Sequence, residues 1–451
     1  MREQRKLLAR SKMEQLYLFT DTELKDIFDE VSSVHQLREA FKKVKSNNGA
    51  PGVDKQTIED FNENKEEEIS KLSEELINWK YKPSPVRRVE IPKPGNKGMR
   101  KLGIATVRDR IVQQSIKISI ENKYEKEFSD SSYGFRPGRN QKQAIEKAKQ
   151  QVNAGKEYIV DIDLEKYFDK IPQDRLMTKL AINIKDKRVL RLIGMSLRSG
   201  IINPQGELEA SEEGVPQGSP LSPLLSNIML DELDKELEKR GLSFCRFADD
   251  CNIFCKSEKA AIRVLESITK FIENRLKLKV NREKSKVGKS SKIKFLGITI
   301  NRGFVMIAKK TLQRAMDKIK ELTPRSNHKT IEETISKINV WFKGWFEYFK
   351  ITEIPAQISK LESHIRRRLR ARIIKDSKRK RFLLRKLITR GVRRITAYKA
   401  IYGKQGTWAI SITNAMHLAF SNKWFEQRGF ITFSDSQLSH WQDTKLWIAL
   451  V

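Results

Sequence analysis

The chain has 451 residues, enough for about two to four domains with cores of their own. It carries 90 Lys plus Arg against 57 Asp plus Glu, a net charge of +33 that favours a polyanionic partner. No apolar run approaches the roughly 18 residues of a membrane span, the charged N-terminus lacks a signal-peptide core, and Cys245, Cys251 and Cys255 lack zinc-site spacing, so a cytoplasmic, soluble chain with reduced thiols is expected.

Residues 1–46 read as helical, with Val34, Leu37, Phe41 and Val44 at helix spacing. Residues 47–52, Asn-Asn-Gly-Ala-Pro-Gly, read as a loop, and 56–80 as helical again. The period then shortens. Residues 87–92 and 101–105 read as strands joined by a Gly-rich loop bearing Lys93, Lys97 and Arg100. Such a loop folds over phosphates or is simply a solvated basic turn. Thr106-Val107-Arg108-Asp109 has capping-box spacing and predicts a helix to about residue 124. The turn from Ser132 to Arg139 is aromatic and basic; it either stacks a base and holds a phosphate, with Arg136 as the contact, or packs onto the core. A helix is expected over 140–153.

Residues 158–164 alternate. Val160, Ile162 and Leu164 point one way, Asp161 and Asp163 the other. Carboxylates along one face of a strand need partners. Phe168-Asp169 follows within a turn. Residues 214–223 read as a rigid Gly/Pro loop presenting Gln217, followed by a buried helix with Leu224, Leu225, Ile228, Met229 and Leu233. Cys245-Arg246-Phe247-Ala248-Asp249-Asp250-Cys251 reads as two strands with adjacent carboxylates at the turn. Side-by-side carboxylates stay ionised beside a cation, which suggests a divalent-metal site; the plainer alternative is a polar hairpin tip. An amphipathic helix is expected over 258–277, a Lys284-Ser285 pair after it, and a strand over 293–300.

From about 307 the chain turns helical. Ile331, Ile335, Ile338, Phe342, Trp345 and Phe349 form one stripe, and Leu361, Ile365, Leu369 and Ile373 another. Arg366, Arg367, Arg368, Arg370 and Arg372 flank the second. Residues 361–400 hold 16 basic and 2 acidic side chains, the composition of a helix that tracks a phosphate backbone. Residues 301–451 hold 32 basic and 11 acidic side chains, against 58 and 46 in residues 1–300. Trp408, Trp424, Trp441 and Trp447 suggest a small helical module with its own core at the end.

In this order the motifs resemble the group II intron-encoded reverse transcriptases, which also act as maturases. The resemblance runs through Ile91-Pro92-Lys93 with Arg100-Lys101-Leu102-Gly103-Ile104, Ser132-Tyr133-Gly134-Phe135-Arg136-Pro137, Asp163 with Phe168-Asp169, Pro216-Gln217-Gly218, Phe247-Ala248-Asp249-Asp250, Lys284-Ser285, Phe295-Leu296-Gly297 and Gly344-Trp345 with Tyr348-Phe349. It implies an α+β right-hand polymerase: fingers and palm over 1–300, a helical thumb over 301–385, and a small DNA-binding domain over 386–451. It implies that Asp163, Asp249 and Asp250 hold two Mg²⁺ ions, with Mn²⁺ as a substitute. Lys93, Arg100, Leu164, Phe168, Gln217 and Lys284 would line the nucleotide site, Phe168 as the gate against a ribose 2′-hydroxyl. The partners implied are an RNA template, a DNA primer, dNTPs and the intron RNA, and no membrane. The chain departs from the family in Phe247 for a Tyr, Gln173 within 171–174 where a His is usual, and Ser219-Pro220 for Gly-x. The absence of later Cys/His clusters suggests the endonuclease-lacking, group IIC-like class. Two rival readings stand beside this one: an intron-independent enzyme of DNA repair or phage defence, and an RNA-binding splicing factor without polymerase activity.

Overall fold

The computed structural model describes residues 27–92, 98–324 and 329–433. The chain divides into two compact units, Met1–Lys289 and Ser290–Val451.

In the first unit the helix Val34–Ser46 opens at Ser33, whose side chain accepts from the Gln36 amide, and buries Leu37, Phe41 and Val44 as the spacing predicts. A capping box at Thr57 and Asp60 starts Ile58–Glu63, and Lys65–Ile77 follows. The strands are β1 (Val86–Pro92), β2 (Met99–Ile104), β3 (Tyr158–Ile162), β4 (Ile201–Ile202), β5 (Leu208–Glu209), β6 (Ser243–Phe247), β7 (Asp250–Cys255) and β8 (Lys286–Lys289). β1 and β2 form the expected hairpin, in a sheet ordered β2-β1-β4-β5. Its loop residue Lys93 lies outside the described residues. Thr106 caps the helix Val107–Glu125, but the box is only half made. Asp109 is buried and accepts instead from Tyr81 Oη (2.7 Å), the Ser84 amide (3.1 Å) and Thr106 Oγ1 (2.7 Å).

The second sheet, ordered β6-β7-β3-β8, is antiparallel throughout and has Asp161, Asp163, Asp249 and Asp250 on or beside its strands. Val160, Ile162 and Leu164 face one contiguous core, with Leu224, Leu225, Ile228, Met229 and Leu233 of the helix Ser222–Lys239. The alternation of β3 therefore leaves Asp161 and Asp163 on the other face. All three cysteines are buried and unpaired, small apolar residues of the sheet.

The second unit begins with a β-hairpin, β9 (Ile298–Asn301) and β10 (Phe304–Ile307). The strand expected over 293–300 starts only at Ile298, because Leu296 (φ +48°) and Gly297 (φ +85°) turn the chain through left-handed backbone. The helices Lys309–Leu322, Ile331–Phe349, Pro355–Asp376, Lys380–Ile388 and Arg394–Tyr402 follow. Ile335, Ile338, Phe342 and Phe349 are buried, with Phe346 rather than Trp345 completing the stripe; Trp345 packs against Phe349 with the rings tilted, centroids 4.7 Å apart. The C-terminal module is not built on tryptophan. Trp408 is over a third exposed, Met416, Phe420 and Phe425 supply the core, and Trp441 and Trp447 lie outside the described residues.

Candidate active site

The β6–β7 hairpin pairs Phe247 with Asp250, so Ala248 and Asp249 form its two-residue turn. Such a turn needs left-handed backbone, and Ala248 supplies it at φ +57°, a conformation costly for a residue with a Cβ. Arg246 stabilises it. The guanidinium is wholly buried, and its Nη1 donates to the Ala248 carbonyl (2.9 Å) and to Asn227 Oδ1 (2.9 Å). Its Nε and Nη2 form a two-pronged ion pair with the equally buried Asp234 (2.7 and 2.5 Å).

The turn is also gripped from outside. Asn227 Nδ2 donates to the Gly134 carbonyl (2.9 Å). Gly134 lies so close that a Cβ there would sit 2.2 Å from the Ala248 nitrogen. The Tyr133 amide donates to the Arg246 carbonyl (2.9 Å), and the Arg246 amide to the Ser131 carbonyl (2.8 Å). The 132–139 turn thus clamps the β6–β7 hairpin. Arg136 is turned inward: it pairs with Glu125 (2.6 Å) and donates to the Ser129 and Ser132 carbonyls (2.5 and 2.9 Å). The reading of Arg136 as a phosphate contact is corrected, because its fork is spent on internal acceptors.

Asp163 follows β3. Its amide donates to Ser285 Oγ (3.0 Å) and its carbonyl accepts from the Asn281 amide (2.9 Å), which sets the Lys284-Ser285 pair against it. Lys284 Nζ lies 3.4 Å from Asp163 Oδ1. Lys286 stands 3.9 Å from Asp161, the partner its face requires. Burial holds the Asp249 carboxyl above the usual carboxylate range; the Asp163 charge pushes the same way, while Arg100 and Arg246 pull it down. Asp249 is therefore within electrostatic reach of both Asp163 and Arg100, although Arg100 comes from the other sheet. Asp250 opens β7 on the exposed side.

Among the described residues no three carboxylate, histidine or cysteine side chains already close into a metal cage. The donor chemistry still fits a hard divalent cation. Asp163, Asp249 and Asp250 offer only carboxylate oxygens, and the mutual repulsion of Asp163 and Asp249 is what a cation relieves.

Phe168 lies on a one-turn helix, Tyr167–Lys170, entered through Lys166 at φ +47°. Its ring is half-buried and meets Tyr167 edge-on, centroids 5.3 Å apart. Leu164 is buried beneath, bridged to Val280. Gln217 is half-exposed, and its carbonyl accepts from the Gly103 amide (2.8 Å) on the strand that carries Arg100.

In the second unit the helix Pro355–Asp376 does not present its arginines as a phosphate track, and that expectation is corrected. Arg366, Arg370 and Arg372 are buried. Arg370 Nε donates to the Phe420 carbonyl (2.9 Å), and Arg372 donates to Thr334 Oγ1 and the Lys329 carbonyl. Arg366 neighbours Glu362 (3.7 Å). The half-exposed Arg368 donates to Thr323 Oγ1 (2.6 Å), and Arg367 donates to the Trp408 carbonyl (3.1 Å) and covers the Trp408 ring at 3.9 Å. The exposed positive surface lies further along, at Arg379, Lys380, Arg381, Arg385, Arg394 and Lys399. No carboxylate occurs between Asp376 and Glu426. Tyr398 and Tyr402, both exposed, stack there at 4.6 Å.

Carboxylates at the ends of neighbouring antiparallel strands, Asp163 after β3 and Asp249 and Asp250 where β6 turns into β7, suit the metal chemistry of a nucleic acid polymerase. Residues 91–300 match the reverse transcriptase (RNA-dependent DNA polymerase) family, and residues 312–391 the group II intron maturase-specific domain. Protein YkfC of Escherichia coli (strain K12) is 33% identical over 318 residues, 62% of this chain and 80% of that protein. The group II intron-encoded protein LtrA of Lactococcus lactis subsp. cremoris is 35% identical over 250 residues, 55% of this chain and 40% of LtrA. The putative COX1/OXI3 intron 2 protein of Saccharomyces cerevisiae is 36% identical over 230 residues, 51% of this chain and 26% of that protein. Among solved structures, a partial Cas6-RT-Cas1–Cas2 complex is 26% identical over 55% of this chain and 43% of that chain, with a TM-score of 0.36. The chain belongs to the reverse transcriptase family, carries the group II intron maturase-specific domain, and is an RNA-directed DNA polymerase. It spans under half the length of LtrA and of the yeast intron protein. Among the described residues no helix is long and apolar enough to cross a membrane.

Proposed function

We propose that the chain extends a DNA primer on an RNA template, at a site formed by Asp163, Asp249 and Asp250, and that it binds group II intron RNA to assist splicing and retrohoming. The primer 3′-oxygen attacks the α-phosphorus of a dNTP; the new P–O bond forms as the bond to the β-phosphate bridging oxygen breaks and pyrophosphate leaves. The three aspartates would hold the divalent cations, which when bound supply charge neutralisation and an activated 3′-hydroxyl. Arg100 and Lys93 counter the triphosphate charge. Lys284, whose Nζ lies 3.4 Å from Asp163 Oδ1, would give a proton to the departing pyrophosphate. Phe168 excludes the ribose 2′-hydroxyl, and Leu164 and Gln217 shape the rest of the pocket. Residues 301–385 act as thumb and 386–451 as a DNA-binding domain. The exposed basic surface at 379–399, with its tyrosine pair, supports contact with single-stranded nucleic acid.

The observation that carries this reading is the investment in the Asp249 turn: a buried ion pair, an asparagine and a glycine contact all fix one strained hairpin tip. A pure RNA-binding protein gains nothing from carboxylates held beside one another. Primer extension on an RNA template with Mg²⁺ tests it. Asp249→Ala is expected to abolish synthesis while RNA affinity stays within a few-fold; more than trace synthesis in that variant removes Asp249 from the site.

A further inference from the structure

The loop Gly214-Val215-Pro216-Gln217-Gly218 joins two parts of the proposed nucleotide site by backbone contacts alone. At one end the Val215 amide donates to the Phe168 carbonyl (2.7 Å), and the Gly214 amide to the Ile171 carbonyl (2.8 Å). Gly214 sits at φ +83°, and a Cβ there would lie 2.8 Å from the Asp169 oxygen and 2.9 Å from the Phe168 oxygen. The loop therefore rests directly on the backbone that carries the Phe168 ring. At the other end the Gly103 amide donates to the Gln217 carbonyl (2.8 Å), and Gly218, at φ +114°, passes so near that a Cβ would lie 3.1 Å from the Gly103 oxygen. Ser222 Oγ donates to the Pro216 carbonyl (2.7 Å) and Ser219 Oγ to Gln113 Oε1 (2.8 Å), so the far side is pinned as well.

Beneath the loop lies Gln173, only 3% exposed. Its Nε2 donates to the Gly214 carbonyl (3.1 Å) and to the Leu197 carbonyl (3.3 Å), with the Ser211 carbonyl at 3.4 Å. One primary amide nitrogen has two hydrogens and serves two carbonyls from different segments. A neutral imidazole at this position would have a single N–H. A leucine would fill the same space and leave both carbonyls buried without this donor.

We propose that Gln173 is a specificity-positioning residue. By holding the Gly214 carbonyl it fixes the loop that seats Phe168, and so sets how strongly the site discriminates between deoxyribonucleotides and ribonucleotides. The proposal rests on the reading of Phe168 as the sugar gate. Gln173 touches no substrate; its effect reaches the nucleotide through Gly214, Val215 and the Phe168 backbone.

The test measures kcat/KM for a dNTP and the matching rNTP on one primer–template, with the melting temperature, for wild type, Gln173→Leu, Gln173→His and Phe168→Ala. Small displacements of a positioned group cost up to about 100-fold, so Gln173→Leu is expected to shift the rNTP/dNTP ratio toward rNTP by about tenfold. Gln173→His, which keeps a donor, is expected to stay near the wild-type ratio. A residue that only stabilised the fold would lower both kcat/KM values together and leave the ratio unchanged. The clamp is overturned if Phe168→Ala changes the ratio and Gln173→Leu does not. If Phe168→Ala, folded, leaves the ratio unchanged, the gate reading fails and the clamp with it. Should Gln173→Leu not fold, Gln173→Asn, one methylene too short to reach Gly214, stands in with the same two outcomes.

Discussion

Asp249 is held in place by a side chain that never meets substrate. Arg246 and Asp234 are both removed from water, and truncating one partner of such a pair strands the other at a cost of about 3–5 kcal/mol. Replacing both by apolar residues of similar volume is close to neutral for folding. The single substitution Arg246→Met is therefore expected to lower the melting temperature sharply. The double substitution Arg246→Met with Asp234→Leu should restore most of it. The Ala248 carbonyl loses its donor in both variants. The double variant should accordingly fold yet extend primers up to about 100-fold more slowly at saturating dNTP, since misplacement by about 1 Å costs that much. A folded double variant with wild-type kcat would show that the turn holds its shape without the arginine. None of this is visible in the sequence. Arg246 and Asp234 lie in different elements, a strand and a helix, and nothing in either local pattern marks a long-range pair. Asp249 and Asp250 alone read equally as a polar hairpin tip, and only the ordered series of motifs around them, Asp163 among them, singles them out.

The same limit separates the elements that were legible from those that were not. The alternation in β3 and the helical stripes of Val34–Ser46 and Ser222–Lys239 state both the element and its buried face, because period and burial coincide. The arginine-rich helix misled because periodicity gives the centre of a buried face and not its width. Arg366 and Arg370 each follow a stripe residue, and Arg372 precedes one, so a wide interface takes them in. Long guanidinium stems can then be buried if their heads find carbonyls, as at Phe420 and Lys329. Two charge-removal experiments separate the buried set from the exposed one. Arg370→Met and Arg372→Met leave carbonyls without their donors and should destabilise the fold, with little change in the salt dependence of nucleic acid binding. Substituting glutamine for Arg379, Arg381, Arg385 and Arg394 should leave the melting temperature nearly unchanged and flatten the log–log salt dependence by about 0.7–0.9 for each phosphate no longer neutralised. An unchanged slope in the four-glutamine variant would mean that this surface does not meet phosphate.

At the scale of the whole molecule, charge is distributed unevenly between the two units. Residues 1–289 hold 56 basic and 46 acidic side chains, and residues 290–451 hold 34 and 11, so two thirds of the +33 excess lies in the smaller unit. The carboxylates of the proposed chemistry all belong to the first. Binding and bond formation should therefore respond differently to salt. Phosphate contacts release counterions, and a protein making 6–10 of them loses about 10³–10⁵ in affinity between roughly 50 and 200 mM salt. The reacting centre works at short range. Asp249 is half-buried, and partly buried charges are screened far less than exposed ones more than about 8–10 Å apart. Primer–template affinity measured across that range is thus expected to fall steeply. The single-turnover rate of nucleotide addition, started from a preformed and saturated complex, should change by no more than a few-fold. A rate that declined in step with affinity under saturating conditions would place the salt-sensitive contacts at the reacting centre, and the division of labour between the two units would have to be given up.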